Sequence, residues 1–184
     1  MLFRSTLLRL LAGIYPPSEG TVLVHGTVAP IIELGAGFHP ELTGAENVAL
    51  YASVFGLGRR ELDSKWKRIL EFSEIGAGLE TPIKYLSSGT VARLAFSVAI
   101  SIAPDVLLLD EVLAVGDEAF RIRCLRRLKE FNSEGGTILL VTHEFDQITE
   151  LCTRAIWLEQ GSIVRDGTPD TVVREYMQHQ ESRA

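Results

Sequence analysis

Apolar residues recur along the chain in two patterns, which predict helices and strands in turn. A helical spacing of three or four positions runs from Gly44 to about Ile75. An uninterrupted apolar run, typical of a buried strand, fills residues 106–109 between Pro104 and two acidic residues. Further helices are predicted at 5–11, from 88 to about 104, 118–132, 144–152 and 168–178, and further extended segments at 21–24, 27–32, 137–141 and 155–158.

The order of these elements predicts the fold class. From residue 106 onward strand and helix alternate, which is the mark of an α/β fold built on a parallel sheet. Segments 21–24 and 27–32 flank His25-Gly26 and predict a hairpin. We therefore expect an α/β domain with a mostly parallel sheet and a helical region inserted in the middle of the chain.

Composition and charge narrow the function classes. A chain of 184 residues that is 46% hydrophobic can bury one sizeable core, and its net charge of -6 gives no general basic field, so no nucleic-acid partner is expected. No segment approaches the ~20 apolar residues that span a bilayer, and residues 1–4 resemble no export signal. Cys124 and Cys152 have neither metal-ligand nor redox spacing. A cytoplasmic location with reduced cysteines is expected.

Candidate chemistry follows two of the predicted strands. Residues 106–109 lead directly into Asp110 and Glu111, and open α/β sheets bind ligands at this edge. Asp110 is placed to hold Mg²⁺, as in phosphate-loop NTPases, and Glu111 to polarise an attacking water. His143 follows the next strand and should lie at the same edge, where its imidazole could contact a γ-phosphate. The alternatives are two solvated acids and a capping or surface histidine.

A third candidate site is the sequence Ser87-Ser88-Gly89 at the start of a helix. Backbone N–H groups, two hydroxyls and a glycine that permits close approach form an anion site. The alternative is an ordinary helix N-cap. Residue types alone leave both interpretations open.

Together the three sites resemble the ABC transporter ATPase family, in which they are called the signature loop, the acidic strand and the switch histidine. The resemblance covers essentially the whole chain, including a tail similar to the family's last hairpin and final helix. The matching residues are Gly89, Pro104, Asp110, Glu111, Asp117 and His143.

The resemblance implies a P-loop NTPase (RecA-like) core that uses ATP and Mg²⁺ and works as a homodimer. It implies catalytic roles for Glu111 and His143 and a metal-binding role for Asp110. Nucleotide contacts across the dimer are implied for Ser87, Ser88, Gly89 and Asp117. The implied organisation is a remnant of the ATP-binding core with its β sub-domain at 1–40, a helical sub-domain at 41–103 and the second part of the core at 104–184.

Two segments narrow the resemblance to a subfamily. Residues 111–117 read E-V-L-A-V-G-D and residues 33–47 read E-L-G-A-G-F-H-P-E-L-T-G-A-E-N. Both are similar to ATP-binding subunits of bacterial exporters of O-antigen, capsule and teichoic acid, whereas Leu86 and Thr90 differ from the subfamily's Met and Tyr. A polytopic permease as partner and a place on the inner face of the cell membrane are implied. Glu33 stands near a metal-contacting Gln of most relatives, and metal contact and a solvated carboxylate both remain open.

The phosphate loop is where the pattern breaks. The family's loop reads G-x-x-G-x-G-K-[ST], and Ser5 and Thr6 stand where its Mg²⁺-binding and phosphate-contacting hydroxyls belong. Residues 1–4 stand where its glycines and lysine belong, and the strand that precedes the loop has no counterpart in the sequence. We therefore expect a truncated gene product, a mis-assigned start or a fragment, without measurable ATP hydrolysis.

The leading hypothesis is thus the ATP-hydrolysing subunit of a polysaccharide exporter. One alternative is a soluble ABC ATPase of DNA repair or translation, which would show coiled-coil insertions or a tandem ATPase domain. Another is a non-catalytic interaction subunit, favoured only by the broken loop. Residues 44–85 are the expected docking face for the permease, although Trp66, Ile69 and Phe72 can equally be core residues.

Overall fold

The computed structural model of the chain describes residues 2–32, 34–111 and 117–182, with the backbone alone for residues 2–4. Its helices are α1 (Leu2–Leu11), α2 (Gly44–Val54), α3 (Arg59–Ser73), α4 (Ser88–Ile102), α5 (Glu118–Ser133), α6 (Phe145–Leu151) and α7 (Pro169–Glu181). Its strands are β1 (Val28–Ile31), β2 (Val106–Asp110), β3 (Thr137–Val141), β4 (Ala155–Glu159) and β5 (Ser162–Gly167), and short 3-10 turns lie at Gly76–Glu80 and Ile83–Tyr85.

A parallel sheet in the order β1-β2-β3 forms the centre of the fold. Its middle strand β2 pairs with a neighbour on each edge, and Leu107, Leu108 and Leu109 are fully buried. A strand covered on both faces needs an uninterrupted apolar run, which is what β2 has. The predicted α/β fold with a buried strand at 106–109 is confirmed.

The predicted hairpin of segments 21–24 and 27–32 is wrong. Residues 21–25 form no strand, and β1 instead pairs in parallel with β2, with Val28 opposite Val106. Asp105 explains the choice, because its Oδ2 accepts hydrogen bonds from the Thr27 N–H (2.7 Å) and the Thr27 hydroxyl (2.8 Å). The start of β1 is thereby held against the start of β2 rather than folded back on residues 21–24.

Strands β4 and β5 form a separate antiparallel hairpin. Gln160 and Gly161, both at positive φ (50° and 82°), make its tight turn. Helix α7 packs on this hairpin through Tyr176, whose ring lies edge-on to that of Trp157 at 5.3 Å. The expected final hairpin and closing helix are confirmed, while β4 does not join the parallel sheet.

Helices α2, α3 and α4 pack together in the middle of the chain. Thr43 begins α2 with a capping box that it shares with Glu46, and Gly56, at φ 77°, lies between α2 and α3. Ile69 is buried, and the Phe72 ring stacks on Phe96 of α4 at 6.0 Å. The helical region is confirmed, and the division of the chain at residues 40 and 103 stays a prediction.

A helix that crosses a bilayer needs about 20 consecutive, mostly apolar residues. No helix within residues 2–32, 34–111 and 117–182 is both long enough and apolar enough to do so.

We predict that the Asp105–Thr27 contact makes stability depend on pH. The two hydrogen bonds from Thr27 lower the pKa of the Asp105 carboxyl below its usual value. The contact therefore stabilises the fold fully above the unfolded-state pKa of about 4, and loses this effect as pH falls through the lower folded-state pKa. In urea unfolding, Asp105→Asn should be less stable than wild type at pH 7, and the difference should shrink toward pH 3. Asp63→Asn, which removes an exposed carboxylate with no bonding partner in the described part of the chain, should show no such trend.

Candidate functional site

The C-terminal edge of the parallel sheet brings the predicted acidic and imidazole side chains together. Asp110 is the last residue of β2 and lies opposite Val141, the last residue of β3. Glu111 and His143 follow these strands, and Glu111 Oε1 lies 3.1 Å from His143 Nδ1. The expectation that Glu111 and His143 meet at one sheet edge is confirmed, and their catalytic roles stay a prediction.

Glu111 combines a hydrogen bond to β3 with an unusual backbone conformation. Its N–H donates to the Val141 carbonyl at 2.9 Å, which continues the β2–β3 ladder by one residue. Its φ of 53° lies in the left-handed region, which a residue with a Cβ seldom adopts. The chain therefore turns sharply just after β2 while it stays fixed to β3. Such strain is maintained where surrounding bonds enforce it, and it is common at functional sites.

A small buried network fixes the loop that carries His143. The Thr142 hydroxyl donates to Gln147 Oε1 at 3.2 Å and accepts from the Glu144 N–H at 3.0 Å. Gln147 in turn donates to Glu144 Oε2 at 2.7 Å. Thr142 and Gln147 are both buried. Thr142 and Glu144, the residues on either side of His143, are thus both fixed by hydrogen bonds.

Ser87 forms the N-cap of α4. Its hydroxyl accepts a hydrogen bond from the Thr90 N–H at 3.2 Å and lies 2.8 Å from the Thr90 hydroxyl. Ser87 and Ser88 are exposed, and apart from the chain neighbours of Gly89 and the backbone of its own helix, no atom comes closer than 4.0 Å to the position a Cβ would take on Gly89. The capping interpretation is confirmed for Ser87. It leaves the first turn of α4 open to solvent, as an anion site requires.

The start of α4 and the start of α5 are joined by Arg93. Asp117 caps α5, since its Oδ1 accepts from the Phe120 N–H at 2.8 Å. Its other oxygen lies 3.6 Å from Arg93 Nη1, and the Arg93 guanidinium also lies over the Phe120 ring at 5.9 Å. Through this contact Arg93 makes a polar connection from α4 to Asp117. In the described part of the chain, no hydrogen bond or ion pair connects Ser87, Ser88 or Gly89 with the Glu111–His143 edge.

Of the remaining predicted metal- and phosphate-binding residues, Ser5 and Thr6 lie in the described part of the chain and Glu33 does not. Ser5 and Thr6 lie in the first half of α1, a helix that contacts β2. No bond joins Ser5 to Asp110 or Glu111 among the described residues. Glu33 lies outside the described residues, as does segment 112–116 of the motif that precedes Asp117. A metal contact by Glu33 stays a prediction.

The sheet edge offers carboxylate oxygens, the kind of ligand that Mg²⁺ binds. Residues 2–32, 34–111 and 117–182 contain no cluster of three or more His, Cys, Asp or Glu side chains that could hold a metal ion. Mg²⁺ is commonly bound through one or two carboxylates, with water and phosphate oxygens completing its shell. The Asp110 side chain, which has no hydrogen bond or ion pair within the described residues, fits that need.

Two residues important for the site's surroundings were not singled out from the sequence. Asn47, fully buried, donates to the carbonyls of His39 (3.1 Å), Leu42 (3.0 Å) and Thr43 (2.9 Å) and accepts from the His39 N–H (2.5 Å). It thus fixes the loop that precedes α2. Arg93, a lone charge in an otherwise apolar helix, was the available signal for a polar contact, because a charge in such surroundings requires a partner.

Comparison with known proteins decides the family. The family model described as "ABC transporter" matches residues 4–114, more than half of the chain. The chain belongs to the ABC transporter family. Its match to the solved "Structure of ATP binding subunit of ABC transporter" has a TM-score of 0.82 at 24% identity and covers 94% of this chain and 77% of that one. The P-loop NTPase fold is therefore confirmed.

Curated relatives of the chain include two kinds of export protein. It is 44% identical to an "O-antigen export system ATP-binding protein RfbB" of Klebsiella pneumoniae, over 95% of this chain and 71% of that protein. It is 42% identical to a "Teichoic acids export ATP-binding protein TagH" of Levilactobacillus brevis, over 94% of this chain and 48% of that protein. The resemblance to polysaccharide-exporter ATP-binding subunits is confirmed.

We predict that Asp117 contributes to stability mainly as a helix cap. Asp117→Ala should lower the free energy of unfolding by about 1 kcal/mol, because α5 loses its N-cap. Asp117→Asn keeps a side-chain oxygen at the cap and should cost less, since it loses only the exposed ion pair with Arg93, a contact of at most about 1 kcal/mol. Urea unfolding of both variants tests this, and equal losses would show that the ion pair outweighs the cap.

Proposed function

We propose that this chain is the ATP-binding and ATP-hydrolysing part of an exporter of cell-surface polysaccharide. The proposal depends on one observation, the Glu111–His143 contact at 3.1 Å beside Asp110 at the edge of a P-loop NTPase sheet. The names of the relatives support the substrate class, because they are export proteins for O-antigen and teichoic acid. ATP with Mg²⁺ is the proposed cofactor pair.

Asp110 would hold the Mg²⁺, with the Ser5 hydroxyl as a further oxygen ligand and Glu33 as a candidate. A bound Mg²⁺ neutralises charge on the β- and γ-phosphates. Glu111 would orient the attacking water and accept its proton. Thr6 would contact phosphate from α1.

His143 would control when Glu111 is free to act. A carboxylate only accepts hydrogen bonds, so a hydrogen bond across the 3.1 Å contact would have His143 Nδ1–H as its donor. A neutral imidazole has one N–H and cannot donate to Glu111 and to a phosphate at once. If neutral His143 turns to donate to the γ-phosphate, Glu111 Oε1 is released toward water.

The exposed start of α4 would complete the site in a second copy of the chain. Ser87, Ser88 and the open Gly89 face solvent rather than their own sheet edge. In a homodimer, this turn of one copy would close on the γ-phosphate held by the other copy. Each copy would thereby complete the nucleotide site of its partner. Asp117 would then lie at the interface, where Arg93 links it to α4.

We predict that the 184-residue chain hydrolyses ATP at no measurable rate. Residues 1–4 read Met-Leu-Phe-Arg, where phosphate binding needs bare backbone amides and a lysine. Phosphate release by the purified chain measures this. Robust Mg²⁺-dependent release that Glu111→Gln abolishes would refute it.

We also predict that Glu111→Gln arrests hydrolysis after ATP binding. The test protein carries a G-x-x-G-x-G-K segment and its preceding strand ahead of Ser5. An amide has the shape of the carboxylate but cannot accept the water's proton, so turnover should fall at least 100-fold, and an ATP-bound dimer should accumulate on size-exclusion chromatography. A variant that binds ATP but stays monomeric would contradict the dimer mechanism.

The permease would dock on the helical region. Val54 at the end of α2 is 72% exposed, and Tyr85, before the start of α4, is 71% exposed. Ile69 is buried, and Trp66 and Phe72 are partly buried against the core. Exposed apolar side chains of the helical region can receive a short helix of a membrane protein, which would bring the chain to the inner face of the membrane.

Val54→Glu should uncouple export from ATP turnover in the same test protein, with the added phosphate loop and strand, co-expressed with its permease. The charge is placed on a docking surface, so surface polysaccharide should fall while ATPase activity and dimerisation persist. The matched control is Ile163→Glu on β5, which is 63% exposed and outside residues 44–85. Normal export in the Val54 variant would count against this docking surface.

A further inference from the structure

Helix α3 ends at a residue with an unusual backbone conformation. Glu74 is the C-cap of α3, and its φ of 52° lies in the left-handed region. Helices that end in this conformation usually place Gly or Asn there, because a Cβ makes the conformation costly. Strain of this kind is maintained where surrounding contacts enforce it. The carboxylate of Glu74 is therefore expected to have a fixed partner.

That partner is Arg123 of α5, which lies 49 positions further along the chain. Both carboxylate oxygens of Glu74 accept hydrogen bonds from the Arg123 guanidinium, and the one from Nη2 to Oε2 measures 2.8 Å. A bidentate pair fixes the relative orientation of the two side chains, which a single contact does not do. The end of α3 is thereby joined to the second turn of α5.

The Phe120 ring lies between Arg123 and Arg93 in a continuous series of contacts. The Arg123 guanidinium lies over this ring at 5.6 Å from its centroid, and the Arg93 guanidinium lies over it at 5.9 Å. Phe120 is buried, and the rings of Phe72 in α3 and Phe96 in α4 lie edge-on to it at 5.6 and 6.1 Å. A cation over an aromatic face is attracted to it, so one buried ring attracts both guanidiniums.

Two positive charges beside one ring repel each other unless each has a counter-charge. Arg123 has the Glu74 carboxylate, and Arg93 has Asp117, whose Oδ2 lies 3.6 Å from Arg93 Nη1. Asp117 also caps α5, since its Oδ1 accepts a hydrogen bond from the Phe120 N–H at 2.8 Å. The order is therefore carboxylate, guanidinium, ring, guanidinium, carboxylate. Loss of either outer carboxylate leaves one cation without a counter-charge beside the other.

This series of contacts connects two parts of the molecule. Glu74 lies at the end of α3, within residues 44–85 that are proposed to receive the permease, whereas Asp117 immediately precedes α5. Arg93 extends from the second turn of α4, the helix that Ser87 caps. Because each member is fixed by its neighbours, a movement at the end of α3 would displace both helix starts that the proposed dimer uses.

We propose that Glu74 and Arg123 are positioning residues of the nucleotide-bound dimer. They hold Asp117 and the first turn of α4 in the relative placement that closing on the partner's γ-phosphate requires. Neither residue touches nucleotide in this scheme, so both act through Phe120 and Arg93. The role rests on the proposed ATPase function, whereas the contacts themselves can be tested without nucleotide.

The first measurement is hydrogen exchange in the 184-residue chain at the Phe120 amide, which donates to the cap of α5. Glu74→Gln keeps the shape of the side chain and removes its charge, so Arg123 loses its counter-charge. Exchange at Phe120 should become about threefold faster, the size expected when an exposed ion pair is lost. The Glu46 amide, which is bonded in the capping box of α2, should exchange as before because it lies outside the series.

A double variant decides whether Glu74 acts through Arg123. In Arg123→Gln the Phe120 amide should also exchange faster, and the addition of Glu74→Gln should change its rate no further. The matched control is Asp166→Asn, which removes the carboxylate of an equally bidentate pair with Arg154 in the β4–β5 hairpin. This variant should leave exchange at Phe120 unchanged.

The second measurement uses the protein with the added phosphate loop and strand, carrying Glu111→Gln so that the ATP-bound dimer accumulates. Addition of Glu74→Gln should raise the ATP concentration for half-maximal dimer formation about threefold. ATP binding measured at protein concentrations too low for the dimer should stay the same, because Glu74 binds α5 rather than the sheet edge that carries Asp110 and Glu111.

The outcomes separate this role from the proposed function. Unchanged exchange at Phe120 in Glu74→Gln would overturn the positioning role, as would an equal rise at Phe120 and Glu46, which marks a general loss of stability. Additive effects in the double variant would show that Glu74 does not act through Arg123. ATP-bound dimers that form equally well with and without Glu74→Gln would overturn the positioning role alone. A parent protein that binds ATP without forming dimers would contradict the proposed function, and the positioning role with it.

Discussion

The parallel pairing of β2 with β3 is the interaction on which the rest of the structure depends. Its register places the last residues of the two strands side by side, and the ladder continues through the Glu111 N–H to Val141. Because the side chains that follow each strand then emerge at one edge, Glu111 and His143 meet although 32 positions separate them. A shift of one residue in this register would turn every side chain of the shifted strand to the opposite face and remove the contact.

The sequence predicted this edge well because its signals were local and strong. The apolar run before Asp110 allowed little besides a buried strand, and the strand at Thr137–Val141 was predicted with the bounds observed. The helices were also clear, since helical periodicity extends over several turns. What a strand pairs with is a different question, and single segments carry little information about it.

The error at residues 21–32 shows this limit. Two extended segments around a glycine predicted a hairpin, but pairing was decided by Asp105, 78 positions away from Thr27. No local sequence pattern predicts a hydrogen-bond partner that lies so far away along the chain. Arg93 was visible as a charge in an apolar helix, yet its contact with Asp117 depends on how α4 and α5 pack. The sequence of α4 therefore indicates that Arg93 needs a partner, but it does not identify Asp117 as that partner.

The left-handed backbone at Glu111 has a consequence for sequence drift. An ordinary side chain in that conformation costs about 1 kcal/mol that glycine avoids and that asparagine partly avoids. Mutations toward Gly or Asn would therefore stabilise the fold, and random substitution selected for stability alone would move the position toward them. A glutamate at this position therefore carries a cost in folding stability that a glycine would not carry.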